Sequence, residues 1–330
     1  MFTSHPLTTG RIPSVLCPNP GGIRLRMAVA CVLALVAGLS NAPFAPAVLG
    51  AQESPRQPPI EGPESQLLRV TLHNGATYVG EVVDAVDEIE AAGPGQSLHL
   101  RLPDGEVMVL TRASIAREET VRGRLRGGEF WPSDPNASRL FFAATGRSLP
   151  AGSGTFNAYY GVIPFVGLGL TDRVSIAGGT PLFFGGGDDG RLLYLAPKVQ
   201  VIRRERVQVA AGVLAFHETG ELSDNAYLAY GVATFGPTSD EGITVGLAWG
   251  REYDAWSSAP TLMFGLDHRT SRRTKLISEN YWSPVGGSGG LASVGVRFLA
   301  ERFAADLALG TPVGSSGLWV FPLVNFSVGW

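Results

Sequence analysis

The stretch GLWVFPLVNFSVGW, residues 317–330, alternates between two kinds of side chain up to the last residue of the chain. Counting back in twos from the terminal tryptophan gives an unbroken apolar face, while the other face mixes glycine, serine and asparagine with large apolar residues. A period of two over this length predicts a β-strand with one apolar side. The apolar face consists of Trp330, Val328, Phe326, Val324, Pro322, Val320 and Leu318.

Segments of the same kind fill the chain from residue 138 onward. Most have the roughly 9–11 residues that a tilted strand needs to cross membrane hydrocarbon. An even count also lets an antiparallel sheet close without free edges. The sequence predicts an all-β fold in which residues 138–330 form a twelve-stranded antiparallel transmembrane barrel, with strands at 138–146, 154–170, 173–184, 191–203, 206–217, 225–236, 242–251, 258–268, 273–282, 290–299, 302–310 and 317–330.

The connections between these segments alternate in character. Those after the second, fourth, sixth, eighth and tenth segments are short and charged, as at residues 301–302. The others are longer and rich in glycine or serine, as at residues 185–190 and 283–290. Short turns on one side and longer loops on the other are typical of outer-membrane barrels, and place both chain ends on the short-turn, periplasmic side.

The two faces of the predicted strands differ in a way that indicates which one meets lipid. In one segment Ile243, Val245 and Leu247 alternate with Thr244 and Gly246, so one face is aliphatic and the other is small or polar. Charged residues make up only 17% of the chain, too few to coat the exterior of a water-soluble barrel of this size. The aliphatic face is therefore predicted to point outward into hydrocarbon.

Two resemblances agree with this interpretation. A last strand that ends on an aromatic residue resembles the C-terminal signature of bacterial outer-membrane barrels, which the barrel insertion machinery recognises. It implies an insertion signal at Trp330, Val328, Phe326 and Val324, with that machinery and outer-membrane lipid as partners. The stretches SRLFFAATGRSLPAGSGTF (138–156), GLGLTDRVSIAGG (167–179) and LAPKVQ (195–200) resemble a family of uncharacterised bacterial outer-membrane barrels found as exported hypothetical proteins. That resemblance implies the fold and the outer-membrane location, and no functional residues.

The N-terminal region has the order of a secretory signal. Arg24 and Arg26 precede an apolar run at 27–39, and small residues follow. Residues 1–51 are predicted to be a cleaved signal peptide, with a retained helical anchor as the alternative, and residues 52–65 to be a linker. Both cysteines lie in the first 31 residues, so cleavage would leave a mature chain without thiols.

Residues 66–121 are predicted to form a small periplasmic β-domain. Its strands alternate around two turn signals, Asn74-Gly75 and Asp104-Gly105. Five short strands at this spacing suit an SH3-like or Sm-like barrel that would bind a peptide, a periplasmic protein, a glycan or its own neighbour. Residues 122–137 are predicted to be a second linker.

The polar face of the barrel carries charges that can be placed by counting. A two-residue turn at 301–302 puts Arg297 opposite Asp306, and similar counting brings Asp267 near Lys275. A charged side chain that faces the lumen needs a partner of opposite charge whether or not a solute passes. We therefore predict ion pairs that stabilise the wall, in preference to a solute-binding site. The further candidates on this face are Glu279 and Lys198.

The sequence indicates no catalytic, cofactor-binding or metal-binding residues. His217 and His268 fall at opposite ends of the predicted barrel and cannot share a metal ion. His217 with Ser223 or Ser257 offers only a weak hydrolase pattern, without a third orienting group. A net charge of -3 gives no basic surface for nucleic acid.

Four hypotheses for function remain. The first is a narrow, passive, porin-like channel, favoured by small inward residues such as Gly246 and Gly295. The second is a plugged structural or adhesive barrel whose small domain docks to a periplasmic partner, with Tyr159 and Tyr194 among the inward aromatics that would obstruct the lumen. The third is a barrel hydrolase, and the fourth is a soluble secreted all-β protein.

Overall fold

The structure is a computed structural model that describes residues 65–83, 97–182, 191–219, 225–252, 255–284, 289–314 and 319–330. The predicted signal peptide, most of the first linker and the loop tip at 185–190 lie outside these residues. Within the described ranges, no helix is long and apolar enough to cross a membrane.

The N-terminal part is an open antiparallel sheet of six strands. Their order across the sheet is β4-β3-β2-β1-β5-β6. The β1–β2 turn forms as the sequence predicts, because Gly75 adopts a φ of 87° and the Asn74 side chain accepts a hydrogen bond from the Ala76 amide at 2.9 Å. The strands are β1 Ser65–Leu72, β2 Thr77–Val82, β3 Ser97–Arg101, β4 Val107–Thr111, β5 Ile115–Arg126 and β6 Glu129–Pro132, with a 3-10 turn at Arg112–Ser114.

The prediction of a five-stranded SH3-like barrel is wrong on two points. The sheet has six strands, and in the described residues β4 and β6 do not pair to close it. The sixth strand comes from the predicted linker 122–137, where β5 continues to Arg126 and β6 follows. Gly127 and Gly128 both have positive φ, 57° and 80°. This pair therefore forms a hairpin turn within the residues that were predicted to be a linker.

The C-terminal part is a closed antiparallel barrel of twelve strands. Neighbouring strands pair along the chain, β12 pairs with β13, and the last strand β19 pairs with the first barrel strand β7. The barrel strands are β7 Gly154–Tyr159, β8 Ile163–Gly169, β9 Val174–Gly179, β10 Leu192–Arg203, β11 Val207–Glu218, β12 Asn225–Thr238, β13 Glu241–Glu252, β15 Thr261–Ser271, β16 Thr274–Ser283, β17 Gly289–Leu299, β18 Phe303–Val313 and β19 Phe321–Gly329; the two-residue β14, Ala255–Trp256, adds to the end of β13.

The strand count of twelve agrees with the prediction, but its assignment at the start does not. The predicted strand 138–146 is not part of the wall, and the predicted strand 154–170 is two strands, β7 and β8. They are separated by a turn in which Tyr160 and Gly161 have φ angles of 52° and 72°. A turn on a non-glycine residue with positive φ gives little sequence signal, and the two errors cancel in the total.

The barrel exterior is apolar and carries aromatic residues towards both ends. Aliphatic side chains are exposed along the middle of the strands, with Val294 62% and Leu309 56% exposed. We call the end with the short connections and the chain ends the turn side, and the other end the loop side. Exposed aromatics near the turn side are Phe235, Phe298, Phe303, Phe326 and Trp330, and those near the loop side are Tyr160, Trp249, Trp256, Trp282 and Trp319.

Candidate functional site: a lumen plug and an apolar pocket

Residues 133–153, which we call the plug, run inside the barrel between β6 and β7. The plug enters and leaves on the turn side, since Pro132 accepts a hydrogen bond from Arg269 at the turn-side end of β15 and Gly154 pairs with Trp330. Its centre is Phe141, which is 0% exposed. Phe141 and Leu140 belong to one buried cluster with wall residues that include Ile277 and Leu323. The predicted first strand is therefore a segment that fills the lumen.

The plug has a hairpin-like shape of its own. The Leu140 amide donates to the Ala143 carbonyl at 2.9 Å, and the Thr145 amide donates to the Ser138 carbonyl at 3.0 Å. Gly146 lies so close to the wall that a Cβ atom there would collide with the carbonyl oxygen of Gln208. The hairpin fits against the wall without room for a side chain at that point.

A wall carboxylate binds the tip of the plug. One oxygen of Glu279 accepts the backbone amides of Phe141, Phe142 and Ala143 at 2.8, 3.0 and 3.2 Å. Its other oxygen accepts the Tyr281 hydroxyl at 2.5 Å. Both oxygens of this buried carboxylate thus have donors, and three amides of the tip that water cannot reach are satisfied.

Polar side chains of the wall strands β10 and β12 also bind the plug backbone. The Lys198 ammonium donates to the carbonyls of Ser138 and Arg147 at 3.1 and 2.6 Å. Gln200 donates to the Gly146 carbonyl at 2.9 Å, and the Thr234 hydroxyl accepts the Gly146 amide at 2.8 Å. These bonds depend on backbone position more than on plug side chains.

Arg297 is the centre of a buried ion-pair network between the plug and the wall. It is 0% exposed and forms two hydrogen bonds to Asp306, at 2.6 and 3.0 Å. It also donates to Asp134 of the plug at 2.9 Å and to the Leu140 carbonyl at 2.6 Å. A guanidinium has five N–H donors in a planar fork, and here the fork joins a wall carboxylate to a plug carboxylate.

Lys275 extends this network across the turn-side half of the lumen. Its ammonium lies 3.0 Å from Asp134 and 2.7 Å from Asp267. Asp267 in turn pairs with Arg147 of the plug at 3.2 Å. Asp134 and Arg147 therefore fix the two arms of the plug to the wall through one connected set of charges.

The environment of Asp134 favours its ionised form. Burial acts to raise the pKa of this carboxyl, but the positive charges of Arg297 and Lys275 and the Asn136 amide outweigh it. The pKa of Asp134 is consequently held well below its usual range. Ionised Asp134 is a lasting partner for both cations at neutral pH.

All six charged positions proposed from the sequence face the lumen. Arg297 lies directly opposite Asp306, and Lys275 approaches Asp267, so these four have each other as partners. Glu279 and Lys198 bind plug backbone instead. Asp134 and Arg147, the plug residues that pair with these charges, are not among the positions predicted from the sequence. A signal existed, because the cross-strand neighbours of Glu279 are Gly265 and Ser293 and offer it no cation.

The N-terminal sheet contacts the turn-side rim of the barrel. Arg124 of β5 forms an ion pair with Asp240, which also pairs with Arg269 at 2.9 Å. Arg269 stacks over the Trp131 ring of β6, 5.2 Å from its centroid. At the edge of this contact the exposed pairs are Arg69 with Glu301 and Arg302 with Glu119. The sheet therefore contacts the turn side of the barrel next to the point where the plug enters.

An apolar pocket of about 200 Å³ remains on the loop side of the plug. Its floor includes Arg139 and Phe142 of the plug. Five aromatic rings form a row along one side of the pocket, and neighbouring rings have centroid distances of 4.7, 5.2, 6.5 and 6.2 Å. The rings in that row are Phe142, Tyr159, Phe165, Tyr194 and Phe216.

His217 and His268 lie at opposite ends of the barrel, and Ser223, one of the two serines considered for His217, lies outside the described residues. His217, at the loop-side end of β11, contacts Asn225 at 2.8 Å, and His268, near the turn-side end of β15, contacts Glu241 at 3.4 Å. Among the described residues, no cluster of three His, Cys, Asp or Glu side chains is suitable for a metal ion.

Comparison with known proteins gives distant similarities to solved structures. No family matches the sequence, and no curated protein matches it. KdgM porin in complex with disordered oligogalacturonate is 10% identical, with a TM-score of 0.37 over 54% of this chain and 95% of that one. KdgM porin in a second structure is 9% identical with a TM-score of 0.38, over the same shares of the two chains. Salmonella typhi OmpF in complex with Daunomycin is 8% identical, with a TM-score of 0.31 over 81% of this chain and 95% of that one. These similarities are too distant to assign a family or a function.

Proposed function

We propose that this protein is a bacterial outer-membrane β-barrel channel whose lumen is closed by its own plug. The observation that carries the proposal is the set of plug contacts, which come from strands all around the barrel. They involve Lys198 and Gln200 on β10, Thr234 on β12, Asp267 on β15, Glu279 and Lys275 on β16, Arg297 on β17 and Asn325 on β19.

The outer surface of the barrel supports a membrane location. A water-soluble barrel would bury its apolar face, whereas here the aliphatic side chains are outside and the charges are inside. Aromatic residues towards both ends of an apolar band are the pattern of a barrel that sits between two membrane interfaces. In this arrangement the N-terminal sheet is periplasmic, because it lies with both barrel ends on the side of the short turns.

The chemistry of the plug contacts supports a channel over a purely structural barrel. A lumen closed by an apolar core would expose that core to water whenever the plug moved, at a cost of roughly 25 cal/mol per Å². Here an apolar cluster around Phe141 is combined with many contacts between charges and backbone groups, which water can solvate when they separate. Displacement of the plug would leave a passage that is lined in part by the charges of Arg297, Lys275 and Glu279.

The alternative is a permanently plugged structural or adhesive barrel. It describes the lumen equally well in the closed state and differs only in whether the plug ever moves. In that case the N-terminal sheet would serve as the docking surface for a periplasmic protein or a glycan. Conductance separates the two hypotheses.

The test compares two proteins in planar lipid bilayers. One is the wild type, and in the other residues 136–148 are replaced by a Gly-Ser segment of equal length; heat-modifiable gel migration verifies that both barrels are folded. We expect the wild type to be closed for most of the record and the variant to conduct steadily. A wild type with large constant conductance would show that the plug does not close the lumen. Two silent barrels would rule out the channel in favour of the structural alternative.

A further inference from the structure

We propose that the apolar pocket on the loop side of the plug binds a small organic monoanion, consisting of an apolar ring or short chain and one carboxylate. The carboxylate would lie between Arg139 and Tyr159, and the apolar part along the row of aromatic rings. This inference concerns the pocket alone and holds whether or not the barrel conducts.

The size of the pocket limits the apolar part. Its volume is about 200 Å³. An engineered apolar cavity of about 150 Å³ stays dry and accepts one benzene molecule. The pocket therefore has room for a single ring with a short side chain.

The lining of the pocket favours an apolar occupant. Alanine, leucine, methionine and aromatic side chains form nearly all of it, including Ala196, Leu214, Phe216, Met263 and Tyr281. Water held between such side chains finds few hydrogen-bond partners, so a ligand that replaces it gains from burial of apolar surface. Aromatic rings in offset and edge contact also present flat faces to a ring or chain.

Arg139 supplies the preference for an anion. It is the sole charged residue among the described residues that line the pocket. Its guanidinium lies over the Phe165 ring at 4.7 Å and donates to the Phe142 carbonyl at 3.2 Å, and in the described part of the structure it has no carboxylate partner. The nearby Glu279 does not serve, because both of its oxygens accept other donors. Arg139 thus has N–H groups left for a ligand.

Tyr159 supplies a second donor. Its hydroxyl is buried and has no hydrogen-bond partner in the described structure, although its ring lies in the row between Phe142 and Phe165. A buried hydroxyl without a partner is unusual and requires an explanation. A carboxylate that accepts from this hydroxyl and from the guanidinium would satisfy both groups at once.

The experiment measures binding of 3-phenylpropanoate and of its neutral counterpart 3-phenylpropanol by calorimetry. The protein is held in lipid nanodiscs, because detergent would compete for an apolar pocket, and empty nanodiscs give the background from partition into lipid. We expect the acid to bind at least ~10-fold more tightly than the alcohol, since a charge-assisted hydrogen bond is roughly twice as strong as a neutral one. Equal affinities would overturn the assignment of Arg139, and no binding by either compound would overturn the site.

Four variants locate the binding. Arg139→Gln should remove the preference for the acid while the alcohol still binds, and Tyr159→Phe should reduce that preference in part. Ala248→Phe, which fills the pocket, should abolish binding of both compounds. The matched control is Ala233→Phe on the outer face of the wall, opposite Val245, and it should bind as the wild type does. Unchanged binding by Ala248→Phe would place the ligand elsewhere and refute the proposal.

Discussion

Replacement of Arg297 by methionine should release the plug while the barrel stays intact. Methionine is similar in length and carries no charge, so the change removes the hydrogen bonds with little loss of volume. In the closed state Arg297 binds Asp134 and the Leu140 carbonyl, and both bonds are lost when the plug leaves. The bonds to Asp306 lie within the wall, so in the wild type they are present whether the plug is docked or displaced. Their loss in the variant therefore does not change the balance between the two states.

The expected magnitude follows from the two shorter of the four bonds that join Arg297 to the plug, since those to the Asn136 and Arg139 carbonyls are longer, at 3.2 and 3.4 Å. A hydrogen bond between charged groups contributes about 1.5–3 kcal/mol, and one to a neutral carbonyl about 1 kcal/mol. Arg297→Met should therefore destabilise plug docking by about 3 kcal/mol, and since 1.4 kcal/mol is tenfold, the open population should rise roughly 100-fold. Asp134 keeps Lys275 as a partner at 3.0 Å, which limits the loss.

A single cysteine in the plug reports the open population. Thr145 is 1% exposed, and the chain has no cysteine after residue 31, so Thr145→Cys gives one buried thiol in residues 32–330. Its rate of reaction with 4,4′-dithiodipyridine, measured in nanodiscs, should increase roughly 100-fold when Arg297→Met is added. The matched control is Arg203→Met, which removes an exposed pair with Asp172 at 3.9 Å and should leave the rate unchanged.

One result would refute this reasoning. If the thiol reacted in the Thr145→Cys protein at the rate of an unfolded chain, and Arg297→Met made no difference, the plug would not be docked in the lumen. Equal increases from Arg297→Met and Arg203→Met would instead indicate a general loosening without a specific role for the buried network.

Three further predictions concern the same network. The free energies of unfolding lost in Arg297→Ala and in Asp306→Ala should sum to about 1–3 kcal/mol more than the loss in the double variant, measured by urea titration; strict additivity would mean that the two side chains do not interact. Because the pKa of Asp134 is lower in the folded protein than in the unfolded chain, its stabilisation is complete above about pH 4 and is lost as the pH falls further. The rate of reaction of the Thr145→Cys thiol, divided by that of a free thiol at the same pH, should therefore rise below about pH 4. Asp134→Asn should reduce this acid dependence, because Asp267 still joins Arg147 of the plug to the wall; an acid dependence that Asp134→Asn leaves unchanged would contradict the assignment. Glu279→Gln keeps the shape but removes the charge that accepts three tip amides, so the same thiol should react on the order of 10- to 100-fold faster, and an unchanged rate would argue against docking of the tip.

The wall of the barrel was predictable because the alternation of apolar residues and the positions of the charged residues indicate the same inward face for each strand. In the hairpin around residues 301–302, alternation alone assigns the faces, and the two-residue turn then fixes the register. The structure pairs Arg297 with Asp306 and Phe298 with Ala305, as that counting gives. A register shift of one residue would have turned one of the two charges into lipid, and the two-residue turn excludes a shift of two.

The plug was not predictable from the same pattern. The segment 138–146 alternates like a strand, and periodicity cannot distinguish a strand in the wall from an extended segment buried inside it. The informative clue lay elsewhere, in the two lumen charges that lack a cross-strand partner. Lys198 faces Gly212 and Ser175 on its two neighbouring strands, so its charge requires something inside the lumen.

The N-terminal sheet shows a similar limit. The turn at Asn74-Gly75 is local chemistry and follows from the residues themselves. Closure of the sheet depends on long-range pairing, which short alternating strands do not specify. The apolar cluster around Val70 and Leu100 is compatible with either a small barrel or an open sheet, and the sixth strand at Glu129–Pro132 lies beyond the expected boundary.

Lipid contact on the barrel exterior is tested most directly at Val294, in the middle of β17 and 62% exposed. If hydrocarbon surrounds the wall, Val294→Arg should lower the free energy of unfolding in lipid vesicles by about 2–4 kcal/mol, while the matched change Val313→Arg at the loop-side end of β18 should cost about 0–1 kcal/mol. Losses within about 0.5 kcal/mol of zero at both positions would mean that water surrounds the barrel, and would contradict the membrane location and the closed channel together.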